Sequence, residues 1–261
     1  MLPFWLSIGV LSLVQALVVA LPRAPRAPWL ARLRSRWLAL ILPLSIAVVI
    51  AAVALESGVA DFLTYLALFA VPPLAAAALA WIVHGGRPPL ALAVLPLFAL
   101  AWAVEGSFGG NVAARALSAL ACVTLGWLLA AAVPALWLEL GIYAMATVDA
   151  YLIADDLLQS PNSVINSAAP AADLPRLQFV HFGSALMGFG DLFVAAVLGA
   201  LLAGDRRLQL RGAALAAAIC VGFDLLFFVI SETPATVPIA LTLLTLRLSG
   251  ALPVRAASRS A

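Results

Sequence analysis

The apolar positions of this chain neither alternate nor keep to one helical stripe. They come in long unbroken runs, separated by short polar or proline-rich breaks. A segment apolar on every side belongs in a bilayer or a deep core, and about 20 such residues cross the hydrocarbon layer. Nine runs follow one another. Met1–Leu21 is the first, and it lacks the basic leader of a signal peptide. Trp37–Leu55 is the second, and an acidic turn, Glu56–Asp61, leads to Phe62–Val83. The pair Pro72-Pro73 is expected to break this third run midway. His84–Pro89 turns the chain into a short fourth run, Leu90–Val104, and Glu105–Asn111 into a fifth, Val112–Val133. Pro134 opens the sixth, Ala135 to about Leu157. The longest break, Asp155–Gln178, is rich in Ser, Pro, Asn and Ala and reads as irregular loop. Phe179–Ala203 is the seventh run, Gly204–Arg211 a basic turn, and Gly212–Ile230 the eighth. Ser231–Pro234 turns tightly into a short ninth, Ala235–Leu246, and Arg247 begins a basic tail. The expected fold is all-α, a polytopic bundle of nine transmembrane helices. Residues 1–134 form its five-helix N-terminal region and residues 135–261 its four-helix C-terminal region.

Composition agrees and removes several alternatives. Of 261 residues 65% are hydrophobic and 10% charged, with mean hydropathy +1.13. Soluble domains carry about 25% charged residues, so no soluble domain of useful size fits. There is no lysine, and the abundance of Ala, Leu and Arg suggests a GC-rich bacterial genome, hence a bacterial plasma membrane. With nine spans, Arg23, Arg26, Arg32, Arg34, Arg36, Arg87, Arg206, Arg207, Arg211, Arg247, Arg255 and Arg259 fall on one side. Arg115 and Arg176 fall on the other, with most loop acids. The positive-inside rule then sets the N-terminus outside and the C-terminus in the cytoplasm. Cys122 and Cys220 lie in apolar runs without disulfide or zinc spacing. No metal or cofactor is expected. The arginine clusters are short and juxtamembrane, so the implied partner is the bilayer and not nucleic acid.

The costly residues are acids inside the runs. An aspartate at membrane depth costs roughly 2.5–3.5 kcal/mol on insertion scales. Asp149 lies well inside the sixth run and Asp191 near the middle of the seventh, within Gly188-Phe189-Gly190-Asp191. Consecutive antiparallel spans can bring both to one depth. Two carboxylates in a low-dielectric site share a single proton, so one acts as base toward water and the other as acid. Peptide hydrolysis suits that equipment. Gly188 and Gly190 would let backbone, substrate and water approach Asp191. Ala195, Gly199 and Ala203 continue as a small-residue stripe, which reads as helix packing.

Gly188-Phe189-Gly190-Asp191 resembles the GxGD signature of intramembrane aspartyl proteases, the presenilin and signal peptide peptidase group. The resemblance implies a nine-span presenilin-like bundle in which a sixth-span aspartate pairs with the GxGD aspartate. Val148-Asp149-Ala150-Tyr151 holds the first place, with tyrosine after the acid instead of before it. The family's third motif, Pro-Ala-Leu, has its counterpart in Pro234-Ala235-Thr236-Val237-Pro238, where leucine is absent and a second proline follows. The implied catalytic residues are Asp149 and Asp191. Gly188, Gly190, Pro234, Ala235 and Pro238 would shape the substrate cleft. The implied substrate is a transmembrane or signal-peptide-like helix. The outside N-terminus resembles the signal peptide peptidase branch, and the short outer loop implies a single intact chain.

Two other readings stay open. Prepilin peptidases share GxGD, and Pro161-Asn162 after Asp155-Asp156 resembles their first acid region. However, those acids fall on the outer side here, and Phe193 stands where that family often has lysine. Alternatively Asp149, Asp191 and Asp224 line the path of a proton-coupled transporter, or the chain is a silent membrane scaffold. Asp224, in the middle of the eighth run, reads as a structural partner or a third acid. Glu139 is expected to face cytoplasmic headgroups, and His84 and His181 to be structural. Asp155, Asp156 and Asp173 solvate the outer loop. Trp5, Trp29, Trp37, Trp81 and Trp137 read as interface anchors, Trp102 and Trp127 as packing. Substrate identity and oligomeric state are not encoded in any readable motif.

Overall fold

The computed structural model describes residues 4–25, 28–56, 58–230 and 232–252. Arg26, Arg255 and Arg259, counted above on the basic side, lie outside the described residues. The chain is mostly helical: α1 (Phe4–Ala20), α2 (Pro28–Ala31), α3 (Ile41–Leu55), α4 (Gly58–Ala77), α5 (Val94–Ala103), α6 (Phe108–Ala132), α7 (Ala135–Ala154), α8 (Gln159–Ser167), α9 (Phe189–Leu202), α10 (Arg206–Asp224) and α11 (Val237–Leu248). One antiparallel hairpin, β1 (Phe179–Phe182) with β2 (Ala185–Gly188), precedes α9. Among the described residues five helical stretches are long and apolar enough to cross a membrane: Arg36–Leu55, Gly58–Val83, Phe108–Ala132, Ala135–Ala154 and Arg206–Phe228. Four shorter apolar helical stretches accompany them: Phe4–Ala20, Pro88–Ala103, Phe189–Leu202 and Val237–Leu248.

Helix α9 is the core. Leu192, Val194–Leu198, Gly199, Ala200 and Leu202 are all buried, so it is covered on every side. Helices α6 and α1 approach it backbone to backbone. A Cβ on Gly126 of α6 would stand 2.6 Å from the Ala196 carbonyl carbon, and one on Gly199 would meet the Val19 backbone of α1. Gly199 therefore does serve packing, as its place in the small-residue stripe implies. The outermost faces are apolar and exposed, with Leu44, Val48, Phe62, Phe69, Leu95 and Phe228 pointing outward. Large apolar side chains exposed in that number suit lipid.

Several elements depart from the reading above. Pro72 and Pro73 do not break α4, which continues as a π-helical segment over Ala78–Val83. In lipid a broken helix would strand amide groups, so keeping the helix and widening it is less costly. Thr124 donates to the Leu74 carbonyl (2.7 Å) just before the widening. The Asp155–Gln178 stretch is not wholly irregular, since it contains α8. Asp61 lies in the first turn of α4 and not in a turn before it. The basic stretch after Gly204 is already helix, with Asp205 capping α10 by accepting from the N–H groups of Arg207 and Leu208. Asp224 is the last residue of α10, not its middle. Arg247 lies in the last turn of α11 instead of opening a tail.

The largest departure is in the seventh run. Its first ten residues, Phe179–Gly188, are the hairpin, and helix begins only at Phe189. Gly183 occupies the turn with φ +57°, a conformation glycine adopts freely. Val180, Phe182, Ala185 and Met187 are buried, which is the condition for non-helical backbone at such a position. The Arg115 guanidinium lies 4.4 Å above the Phe182 ring, and Phe108 meets the same ring edge-on. Ser118 holds the Leu177 carbonyl (3.0 Å), and the Ser184 N–H donates to Ser7 on α1 (3.4 Å). The hairpin is thus wedged between α1 and α6.

Candidate functional site

Helix α7 carries Asp149, which is buried, at 4% exposure. Its Oδ2 accepts from the Thr236 hydroxyl (2.6 Å) and from the Thr236 N–H (3.3 Å). Thr236 lies immediately before α11, and no part of it reaches solvent. A short hydroxyl–carboxylate bond of this kind is charge-assisted and about twice as strong as a neutral one. The stretch that takes the place of Pro-Ala-Leu is therefore in contact with the sixth-run acid, and through the residue that replaces leucine.

Asp191 stands at the third position of α9, and its Oδ2 accepts from the Gly188 N–H (3.0 Å). The carboxylate thus caps its own helix, a structural role that would justify an acid there by itself. That role does not account for its surroundings. Asp149 and Asp191 lie within electrostatic reach of each other. A Cβ on Gly190 would stand 3.5 Å from the Met145 methyl, one turn before Asp149 on α7. Gly188 ends β2 and is exposed, so the chain is open at the point where it enters the site.

Gln15 on α1 ties the parts together. Only 1% of it is exposed. Its side-chain amide nitrogen donates to the Ala235 carbonyl (2.8 Å) and to the Asp191 carbonyl (3.3 Å), while its oxygen accepts from the Cys220 thiol (3.4 Å). One amide thereby fixes the backbone beneath Asp191 and the residue before Thr236. The sequence reading overlooked both Gln15 and Thr236. Gln15 had a signal: a lone amide inside an apolar run needs partners, and those partners are worth finding. Thr236 had one too, being a hydroxyl where the family motif has an alkyl group.

The structure therefore gathers Asp149, Asp191, Gly188, Gly190 and Ala235, together with Thr236 and Gln15. Pro234 and Pro238 bracket Thr236, and among the described residues neither is hydrogen-bonded to an acid. Pro238 is buried in the first turn of α11, where a missing N–H costs nothing. Asp224 accepts from Ser12 (2.8 Å), one turn of α1 from Gln15, and so sits beside the site with a partner of its own. Glu139 does not face headgroups. It is buried and paired with Arg247, whose Nε and Nη2 each donate to a carboxylate oxygen at 2.7 Å. His84 is within 3.2 Å of the Leu79 carbonyl. Trp102 is half exposed and donates to the Ala172 carbonyl, so it belongs at a loop and not in the packing. Asp155 and Asp156 are exposed beyond α7. Among the described residues no cluster of His, Cys, Asp or Glu could hold a metal ion.

Glu232, in the connection leading to Thr236, is partly buried. Burial, and then the charge of Asp156, hold its carboxyl above the usual range. Comparison with protein-family models, with curated proteins and with solved structures finds no match to this chain.

Proposed function

We propose that this chain is an intramembrane aspartyl endopeptidase, similar to the presenilin and signal peptide peptidase group, and that it cleaves a transmembrane or signal-peptide-like helix. The observation that carries the reading is that Asp149 and Asp191, from two different apolar segments, lie within electrostatic reach of each other, with Thr236 of the Pro234–Pro238 stretch bonded to Asp149. Three stretches far apart in sequence are neighbours here, which supports the reading. In this reading the nine apolar segments are nine spans, with the N-terminus outside.

In the proposed mechanism the two acids share one proton. The ionised one draws a proton from a water as that water attacks the scissile carbonyl, and the protonated one donates to the carbonyl oxygen. The proton then passes to the departing amine as the C–N bond breaks. Thr236 and the Gly188 N–H each hold one carboxylate oxygen and so fix which oxygen faces the substrate. The substrate must unwind, because a helix hides its amides. β2 runs directly into Gly188 and Asp191, so a strand laid along it would bring its next peptide to the acids.

The test is turnover of reconstituted single-span substrates by Asp149→Asn and Asp191→Asn chains. Each should lose at least about a thousandfold in rate while remaining folded. Proteolysis retained by Asp191→Asn would sink the mechanism. A prepilin-peptidase arrangement is less well supported, because Asp155 and Asp156 point into solvent beyond α7. A proton-coupled transporter is the second reading, favoured by the third acid, Asp224, beside Ser12. Proton-driven uptake lost on Asp224→Asn, with no peptide cleavage by the native chain, would decide for it.

A further inference from the structure

A groove of about 340 Å3 opens between the 3-10 turn Arg36–Leu40 and α7, on the side of α7 away from the Glu139–Arg247 pair. That size is at the small end of ligand-holding clefts, which span about 300–1,000 Å3. Its walls are nearly all apolar, formed by Leu40, Pro43, Leu140 and Ala144, while at Gly141 the 3-10 turn and the start of α3 pack so closely that a Cβ would meet the Ala39 carbonyl and Leu42. At its mouth the exposed Arg36 guanidinium lies 5.2 Å from the Trp37 ring and 5.7 Å from the Trp137 ring. Among the described residues no carboxylate pairs with Arg36. The groove also sits at the arginine-rich end: Arg34 donates to the Val133 carbonyl, and the Ser35 N–H to that of Ala132.

We propose that this groove binds an anionic phospholipid, its phosphodiester on Arg36 and one acyl chain lying along Pro43, Leu140 and Ala144. Each part of such a lipid has a counterpart. A guanidinium fork matches phosphate oxygens and keeps its charge at any physiological pH. Two indoles flanking it belong at the headgroup boundary. Leu40, Pro43, Leu140 and Ala144 offer an acyl chain an apolar wall beside the guanidinium. Basic clefts on the cytoplasmic side of membrane bundles attract anionic headgroups, with about 1 kcal/mol from each arginine near the surface. A zwitterionic lipid presents the same phosphate but brings a cation toward Arg36 and its neighbours. The proposal is independent of the proteolytic reading, because it uses neither acid.

Tryptophan quenching tests it on the full chain in phosphatidylcholine nanodiscs. Phosphatidylglycerol with brominated acyl chains should quench more strongly than equally brominated phosphatidylcholine. The Arg36→Gln chain should lower that preference about fivefold, the factor from one surface arginine. Ala144→Leu, which fills the groove and spares Arg36, should lower it as well. A chain with both Trp37→Phe and Trp137→Phe should show no excess quenching, which locates the lipid. Inorganic phosphate should not displace it. Equal quenching by both lipids in the native chain, or a preference undiminished by Arg36→Gln, would overturn the proposal. Displacement by inorganic phosphate would overturn it too, since the site would then be one for the free ion.

Discussion

In the proposed protease Thr236 is the residue that orients Asp149. Leucine at this position could offer Asp149 only its N–H, whereas threonine offers the hydroxyl as well. A hydrogen bond to a charged group contributes about 1.5–3 kcal/mol, and a buried acceptor left unsatisfied costs comparably. Thr236→Val keeps the shape and removes the bond, so turnover should fall by roughly tenfold or more, while Thr236→Ser retains most of it. Equal rates for the two variants, measured on the same reconstituted substrate, would show that the hydroxyl does not orient Asp149. Gln15 acts one step further back, because it touches neither carboxylate and holds only the main chain on which both arms rest. Asp149 and Asp191 were legible in the sequence, since acids are costly in apolar runs. Thr236 and Gln15 were not singled out, because uncharged polar residues in membrane helices are common and their partners lie far away in sequence.

At the level of elements, the hairpin sets where α9 begins. The 14 residues of α9 rise only about 21 Å, short of the roughly 30 Å hydrocarbon layer. In the nine-span reading β1 and β2 would make up the remaining depth, and Asp191 begins a helix instead of lying midway along one. Hydrophobicity hid this, since a buried hairpin and a buried helix are equally apolar. The turn did carry a signal, because Gly183-Ser184 between two short apolar runs is a two-residue hairpin loop. Gly183→Val places a β-branched residue at φ +57° and should cost about 1–2 kcal/mol locally. It should depress turnover with little change in helical circular dichroism, and unchanged turnover would show that the hairpin is dispensable. Helix α8 escaped notice for the opposite reason, its residues being those of loops. The segment from Glu232 to Thr236 carries a pH dependence. The Glu232 carboxyl is raised above its unfolded value by burial and by Asp156, so the fold favours its neutral form. That stabilisation is complete below the unfolded pKa and is lost as pH rises through the folded one. Amide protection factors over residues 232–236 should therefore fall with rising pH across that interval, and Glu232→Gln should flatten the trend.

For the whole molecule, contacts across loops sort the charges to two ends. The Arg23 N–H donates to the Ile82 carbonyl, Arg206 reaches the Ala20 carbonyl, and Ser35 meets Ala132, so the arginine-bearing connections gather together. At the other end Arg176 approaches Glu105, and the Ala171 N–H donates to the Tyr65 hydroxyl, where the acidic loops meet. Helices α7 and α11 tie the two ends to one another. Glu139 and Asp149 are separated by about 15 Å of helix rise, and Thr236 and Arg247 by about 16 Å, so an antiparallel pair can hold both contacts at once. A charged clasp near the basic end thereby fixes the register that places Thr236 on Asp149. The same sorting predicts orientation, because arginine retention should hold the basic end in the cytoplasm. Both native cysteines are buried, which makes single added cysteines readable against a quiet background. Ser160 is exposed on the acidic side, and Gly204 is exposed on the basic side with open space where a Cβ would point. A membrane-impermeant maleimide should label the Ser160→Cys chain in intact cells and the Gly204→Cys chain only after permeabilisation. The reverse pattern would invert the bundle and bring the hairpin, with the approach to Asp191 along it, to the cytoplasmic face. A substrate threaded from outside could not then reach the acids by that route. Labelling of both chains in intact cells would mean that the two ends share one side of the membrane, and the nine-span reading would fall with it.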